Sequence, residues 1–445
     1  VIALVGFVTF ILIITLLLVF KVSPVPVFIV VPVLGALMIG VSPVEIGSFI
    51  GDGILQVMDV GTLFIFAMLY FGIMSDAGLF DPLTGKLKDM AGSNVVLVAI
   101  VTVFIAMVSH LDGTGASTLL VTIPALLPVY KKLQMNPLIL LLIVVMSAGV
   151  MNLIPWGGPL ARVAVVLEID PSALWVPLIP VQIIGIAAVL LTAVYLGKKE
   201  KKRIANSSME HTSEEASEVK LELASALEQE AEVSEDANLK RPKLWWFNLI
   251  LTIATIATLI TTEIEISAVF MFVFALALVI NYPNGKLQME RMRAHAFEAF
   301  TLVTILIAAG AFLGIVSESG MVEEMTTGLI SVIPEAIGPF IHLIIGVISV
   351  PLLMVLPPDA YLFAFVSLLV EIGAEHGVPA TSVAYASAVG ATISGYISPL
   401  VPATYLAIGL AKTDLAAHIK FSIFPMWLLS ILLLTACILL GLVTI

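Results

Sequence analysis

Four ionisable residues interrupt otherwise apolar runs: His110, Asp112, Arg162 and Asp359. Asp112 stands beside glycines in His110-Leu111-Asp112-Gly113-Thr114-Gly115, where exposed carbonyls collect, and so suits cation or proton binding; a cap on the N–H groups of the turn is the other reading. His110 is either a proton site or a hydrogen-bond donor of the same turn. Arg162 follows Gly157-Gly158-Pro159 by a short turn, so its planar guanidinium either clamps a ligand carboxylate or pairs with a buried acid of the chain. No His-Glu-x-x-His, Walker loop or Ser-His-Asp set accompanies these residues, and nothing supports an enzyme.

The pattern occurs twice. Gly72-Ile73-Met74-Ser75-Asp76-Ala77-Gly78-Leu79-Phe80 returns 242 residues later as Gly314-Ile315-Val316-Ser317-Glu318-Ser319-Gly320-Met321-Val322. Each copy is followed by an aspartate between apolar segments (Asp112, Asp359) and then by a proline-interrupted helix (Pro155 and Pro159; Pro399 and Pro402). Asp170 and Asp414 come 15 residues beyond Pro155 and Pro399. A helix broken inside a membrane leaves N–H groups at the start of one half and C=O groups at the end of the other, which are ligands for anions and cations. Two interrupted helices at matching places point to a secondary transporter and to its site.

The composition requires that membrane. Hydrophobic residues make up 60% of the chain and charged residues 12%, too few to cover a soluble protein of this size. Ten acids between Glu210 and Asp236 account for most of the net charge of -12, so the charge describes a solvated linker and no acidic binding face, and nothing points to nucleic acid. Cys437 is the only cysteine, which excludes disulfides and thiolate metal sites within one chain. The first run, Val1 to Phe20, lacks a basic n-region and a small-residue cleavage site and reads as a retained helix.

Apolar runs predict helices at about 1–20, 25–40, 57–78, 137–168 and 173–197, and again at about 244–262, 266–281, 294–317, 380–411 and 420–444. Five per half makes the halves inverted. This layout puts Lys21, Lys86, Lys88, Lys131, Lys132, the run Lys198–Arg203, Lys240–Lys243, Lys286–Arg293, Lys412 and Lys420 on one side, which the positive-inside rule makes cytoplasmic. Glu45, Asp52, Glu168, Asp170, Glu263, Glu265, Glu318, Glu323, Glu324, Glu371 and Glu375 fall on the other, with both termini. Two paired segments, about 93–131 and about 336–376, preserve the rule only as re-entrant hairpins. A leg of 15 or 16 residues rises about 24 Å, past the midplane of a ~30 Å hydrocarbon core without crossing it. The reading is thus an all-α polytopic protein: first repeat 1–197 (broken helix 137–168), cytoplasmic linker 198–243, second repeat 244–445 (broken helix 380–411). The Gly72 and Gly314 copies, with Asp76 and Glu318, read as packing and capping devices, and His342 as packing.

The stretch from Ser109 to Thr118, together with Asn152-Leu153-Ile154-Pro155-Trp156-Gly157-Gly158-Pro159 and Arg162, resembles the CitMHS family of citrate-metal-proton symporters, of the ion transporter superfamily. Asp359-Ala360-Tyr361 and Ser398-Pro399-Leu400-Val401-Pro402 to Thr404 are similar to that family's later signatures. The resemblance implies a scaffold and a mobile transport domain, elevator movement, homodimers, and import of citrate complexed with a divalent cation together with protons. It implies a substrate shell of Gly113, Thr114, Ser117, Asn152, Gly157, Gly158, Arg162, Tyr361, Ser398 and Thr404, with His110, Asp112 and Asp359 coupling cation or proton. No cofactor is implied; Mg2+ or Ca2+ would travel as cargo with citrate, near Asp112, with no site made by protein alone. Thr114 and Ala417 stand where family members often carry acids, which leaves open a metal-free Na+- or H+-coupled di- or tricarboxylate symporter. An oxyanion efflux protein or a channel is the reading from a different class.

Overall fold

In the computed structural model, residues 1–82, 94–207, 239–262, 264–330 and 337–445 are described. Lys86, Lys88, Glu263, the acidic stretch Glu210–Asp236 and the first residues of the two predicted hairpins, at 93 and 336, lie outside them. The described residues form helices without strands: α1 (Ile2–Leu18), α2 (Pro24–Met38), α3 (Pro43–Asp76), α4 (Val95–Ser109), α5 (Gly115–Lys132), α6 (Pro137–Met151), α7 (Gly158–Leu167), α8 (Pro171–Ser207), α9 (Trp245–Thr261), α10 (Ile266–Asn281), α11 (Gly285–Glu318), α12 (Met321–Ile330), α13 (Ile341–Leu353), α14 (Val366–Glu375), α15 (Ala380–Ser394), α16 (Pro402–Ala411) and α17 (Leu415–Leu439). Among the described residues six helices are long and apolar enough to cross a bilayer, and seven apolar ones are shorter.

Local chemistry sets the boundaries. α2, α3, α6, α7 and α16 start with Pro in the first turn, where the missing N–H costs nothing. Ser42 and Glu45 form a capping box at α3, and Asn94, Asn136, Asn284 and Asp414 cap their helices by accepting from backbone N–H groups. Predicted boundaries move at four helices, and α17, expected over 420–444, runs Leu415–Leu439 because Asp414 caps it there. The helix expected over 57–78 begins at Pro43, because the capping box starts it there and Gly51 and Gly53 do not stop it. The one expected over 294–317 begins at Gly285 under its Asn284 cap, and α8 runs on to Ser207, so the basic run Lys198–Arg203 is helical.

α3 and α11 form the central pair. A Cβ on Gly53 would lie 2.9 Å from the Gly310 carbonyl carbon and the Gly314 nitrogen, so backbone meets backbone and only glycine fits. At the other end of the pair, Gly72 faces His295: a Cβ there would lie 2.7 Å from Nδ1. α10 packs on α3 and α2 on α11. α4 and α5 pack together as a hairpin, with α4 also against α6 and α8; α13 packs on α15 and α17, and α14 on α15. Each second half-helix reaches across the chain, α7 to the π-helical turn Ala360–Phe365 and α16 to α5. His342 is buried as expected, its Nε2 2.9 Å from the Thr444 carbonyl.

Candidate functional site

The first turn is built by its aspartate. Asp112 closes a 3-10 turn, Gly113 takes φ 76°, and Thr114 caps α5. The carboxylate accepts from Thr114 N (2.8 Å), from the Thr114 hydroxyl (3.1 Å) and from the Ser117 hydroxyl. Asp112 is therefore the cap of this turn, and its side chain also lines a cavity of about 220 Å³ with Ser117, Ser109, Ser75, Asp76, Asp81 and Lys240. The cap reading of Asp112 is what these hydrogen bonds display, and the residue also faces the cavity.

His110 is fully buried behind the turn. The Asn152 amide nitrogen faces the Thr392 carbonyl (3.3 Å) and the Tyr396 hydroxyl (3.4 Å), which turns the amide oxygen toward His110 Nε2 (3.0 Å). Nε2 then carries the proton and donates it, because a carbonyl oxygen only accepts. Nδ1 lies 2.7 Å from the Thr118 hydroxyl. The first break seals this corner: the Trp156 indole N–H donates to the Leu111 carbonyl (2.8 Å), and a Cβ on Gly113 would lie 2.8 Å from the Trp156 carbonyl. Hairpin tip and first break are thus one structure, with Gly157 as the N-cap of α7 and no side chain capping that helix.

Arg162 sits on the second turn of α7 with its Nε 3.2 Å from Asp359 Oδ1, both side chains largely buried (14% and 17% exposed). The contact is an ion pair without an aligned hydrogen bond, so Asp359 Oδ1 has no hydrogen-bond donor. Nη1 lies over Gly158, where a Cβ would come within 3.0 Å. The partner-to-an-acid reading of Arg162 is what the structure displays, with a ligand clamp still open to the rest of the fork.

The remaining predicted residues are spent on backbone. The Tyr361 hydroxyl is buried and donates to the Ser387 carbonyl (3.4 Å). Ser398 donates to the Leu353 carbonyl (2.7 Å), tying the second break to the second hairpin, and Thr404 donates to the Ser398 carbonyl (2.7 Å). α16 also lacks a side-chain cap.

Sequence reasoning missed the polar groups that α3 and α11 bring to the cavity side. Asp76 lies 2.9 Å from His295 Nε2 and 3.4 Å from Arg291 Nη1, so it is an ion-pair partner rather than a helix cap. Lys240 pairs with Asp81 at 2.8 Å. The 242-residue offset that relates Gly72 to Gly314 also relates Gly53 to His295, but that these positions meet is seen only once α3 and α11 are packed. A second cavity, about 350 Å³, lies between α3, α7 and the start of α10 and carries Asp59, Glu168, Asp170 and Glu265.

Residues 7–390 match the sequence profile of the family described as CitMHS, citrate transporter. The chain belongs to the CitMHS citrate transporter family. Among its relatives, a citrate transporter of Bacillus subtilis (strain 168) is 40% identical over 95% of this chain and 94% of its own length. A Mg(2+)/citrate complex secondary transporter of the same organism is 36% identical over 98% of both. A solved structure of the Alcanivorax borkumensis YdaH transporter, 16% identical, matches 89% of this chain and 86% of its own with a TM-score of 0.55, which speaks for the fold alone. As a CitMHS member with these apolar helices, the chain is an integral membrane transporter and not an enzyme.

Proposed function

We propose that this CitMHS member imports citrate as a complex with Mg2+ or Ca2+, coupled to protons, across the plasma membrane. The observation that carries the proposal is the joining of the first break to the first tip, through Trp156 to Leu111 and Asn152 to His110, beside a cavity that Asp112 and Ser117 line. α7 starts at that junction without a side-chain cap, so its N–H groups and Arg162 favour an anion, while Asp112 favours the cation or proton. Gly113, Thr114, Ser117, Asn152, Gly157, Gly158 and Arg162 form the near side of the proposed shell. Asp359, Tyr361, Ser398 and Thr404 hold its far side in shape.

The proposal includes two inverted halves, 1–197 and 244–445, with the linker cytoplasmic, both termini outside, and elevator movement in a homodimer. What supports the halves is that matched residues make matched contacts: Gly72 against His295, Gly314 against Gly53. Glu168 and Lys412 also take the same left-handed backbone (φ 56° and 53°), two residues before the caps Asp170 and Asp414. A metal-free symporter is the second reading, favoured by Thr114, a neutral residue whose hydroxyl is turned onto Asp112.

Uptake of labelled citrate into proteoliposomes, with Mg2+, Ca2+ or a chelator and with imposed proton or sodium gradients, tests both. Import driven by a proton gradient and lost on chelation is the expected result. Chelator-insensitive import moves the assignment to the metal-free symporter, and no citrate import under any gradient overturns the proposal.

A further inference from the structure

Several contacts converge on Tyr396, in the second break two residues after α15 ends. The side chain is almost completely buried. Its hydroxyl accepts from the Asn152 amide (3.4 Å), the same amide whose oxygen faces His110. Its ring stands edge-on to the His110 imidazole, centroids 6.2 Å apart at 89°. It also fills the space above Gly115, the first residue of α5: a Cβ there would lie 2.6 Å from the Tyr396 hydroxyl oxygen and 2.9 Å from Cζ. Behind it, His418 Nε2 donates to the Tyr396 carbonyl (3.0 Å), and His418 Nδ1 lies 3.2 Å from the Ser422 hydroxyl, so α17 braces the backbone that carries the ring.

The consequence is geometric. One aromatic side chain from the second broken helix touches the first turn of α5, the amide that ends α6 and the imidazole of the tip. α16, which follows Tyr396, packs along α5, so the ring lies at the head of an extended contact. With its backbone braced, the ring has little room to retreat if a methyl group is added at Gly115.

We propose that Tyr396 is a positioning residue for substrate binding at the first tip, and that Gly115 is small in order to seat it. The ring holds the start of α5, and with it the Thr114 and Ser117 hydroxyls, in register with the two helix breaks. The proposal rests on the reading that the first tip binds substrate. A purely structural aromatic would affect the amount of folded protein and its melting temperature, and would leave the affinity of what remains unchanged.

The test is labelled-citrate uptake by the full chain in proteoliposomes, with KM and maximal rate separated, for Gly115→Ala, Tyr396→Phe, Tyr396→Leu and the double variant Gly115→Ala with Tyr396→Leu. Ser117→Ala reports on the tip independently, and melting in detergent reports on folding. Gly115→Ala should raise KM about tenfold, about 1.4 kcal/mol, the size of coupling expected between touching residues. Tyr396→Phe, which keeps the ring and should fold, should raise KM by a smaller factor. The double variant should be no worse than Tyr396→Leu, because the added methyl then meets no ring. If Ser117→Ala raises KM while Gly115→Ala and Tyr396→Phe leave it within about twofold, or if the double variant shows the summed losses, Tyr396 only packs and the inference fails. If Ser117→Ala also leaves KM unchanged, the tip reading fails and takes the inference with it.

Discussion

Arg162 and Asp359 can be separated into a ligand contact and a structural pair by removing them singly and together. Both side chains are mostly withdrawn from solvent, and they lie 3.2 Å apart without an aligned hydrogen bond. Arg162→Ala leaves the Asp359 carboxylate without its cation, and Asp359→Ala leaves the guanidinium without its anion. Breaking a fully buried pair costs about 3–5 kcal/mol, and the residual exposure here brings each single change to roughly 2–3 kcal/mol. The double variant removes both charges and with them most of that penalty, so its melting temperature should return toward the parent's. Citrate affinity should not return. A charge-assisted hydrogen bond to a ligand carboxylate contributes about 1.5–3 kcal/mol, which is a roughly 10- to 150-fold loss in binding. Melting curves of the detergent-solubilised protein, with calorimetric titration of citrate with and without Mg2+, read the two quantities separately. A double variant that melts like the parent and binds citrate as tightly would show that Arg162 serves Asp359 alone, and the anion site would then have to lie elsewhere.

Asp112→Asn keeps an acceptor for Thr114 N and so isolates the charge from the cap; it should abolish accumulation of citrate against a gradient while leaving exchange measurable, and normal accumulation would pass the coupling role to His110 or Asp359. Gly113→Ala forces a side chain into φ 76° and toward the Trp156 carbonyl, a cost of about 1–2 kcal/mol or more that should appear as weaker citrate binding, and unchanged binding would detach the tip from the substrate. Arg162→Lys keeps the charge and loses the planar fork, so its citrate affinity should fall between those of the parent and Arg162→Ala; parity with the parent would rule out bidentate binding. Ser207→Cys, at the end of α8, should react with a membrane-impermeant thiol reagent only from the cytoplasm, and since the native Cys437 is buried the background is low; labelling from outside intact cells would sink the inverted five-plus-five layout.

Much of this architecture was legible because helices in lipid are bounded by residues with few alternatives. Pro155 and Pro159, and Pro399 and Pro402, locate gaps that the structure places between Met151 and Gly158 and between Ser394 and Pro402. Asn94, Asp112 with Gly113, and Gly115 mark the first hairpin in the same local way. The beginnings of α3 and α11 were hidden because their first turns are polar or glycine-rich, and hydropathy reads such turns as loop. Gly53 is there for a close approach to Gly310 and Gly314, a reason that exists only once the two helices are packed. The pairings inside the site were hidden for a stronger reason. A charge at bilayer depth requires a partner, so Arg162 could be known to have one, yet the local sequence does not choose among Asp112, Asp359 and a ligand. Asp76 meets His295 across 219 residues, and Tyr396 meets Asn152 across 244. In a chain whose halves reach across one another, α7 to the second hairpin and α16 to the first, the side chains that matter most to a shared site are the ones whose partners lie furthest along the sequence. The residues proposed to carry the chemistry are therefore chosen from type and spacing, while their long-range partners, Tyr396 against Asn152 and Trp156 against Leu111, become visible only in three dimensions.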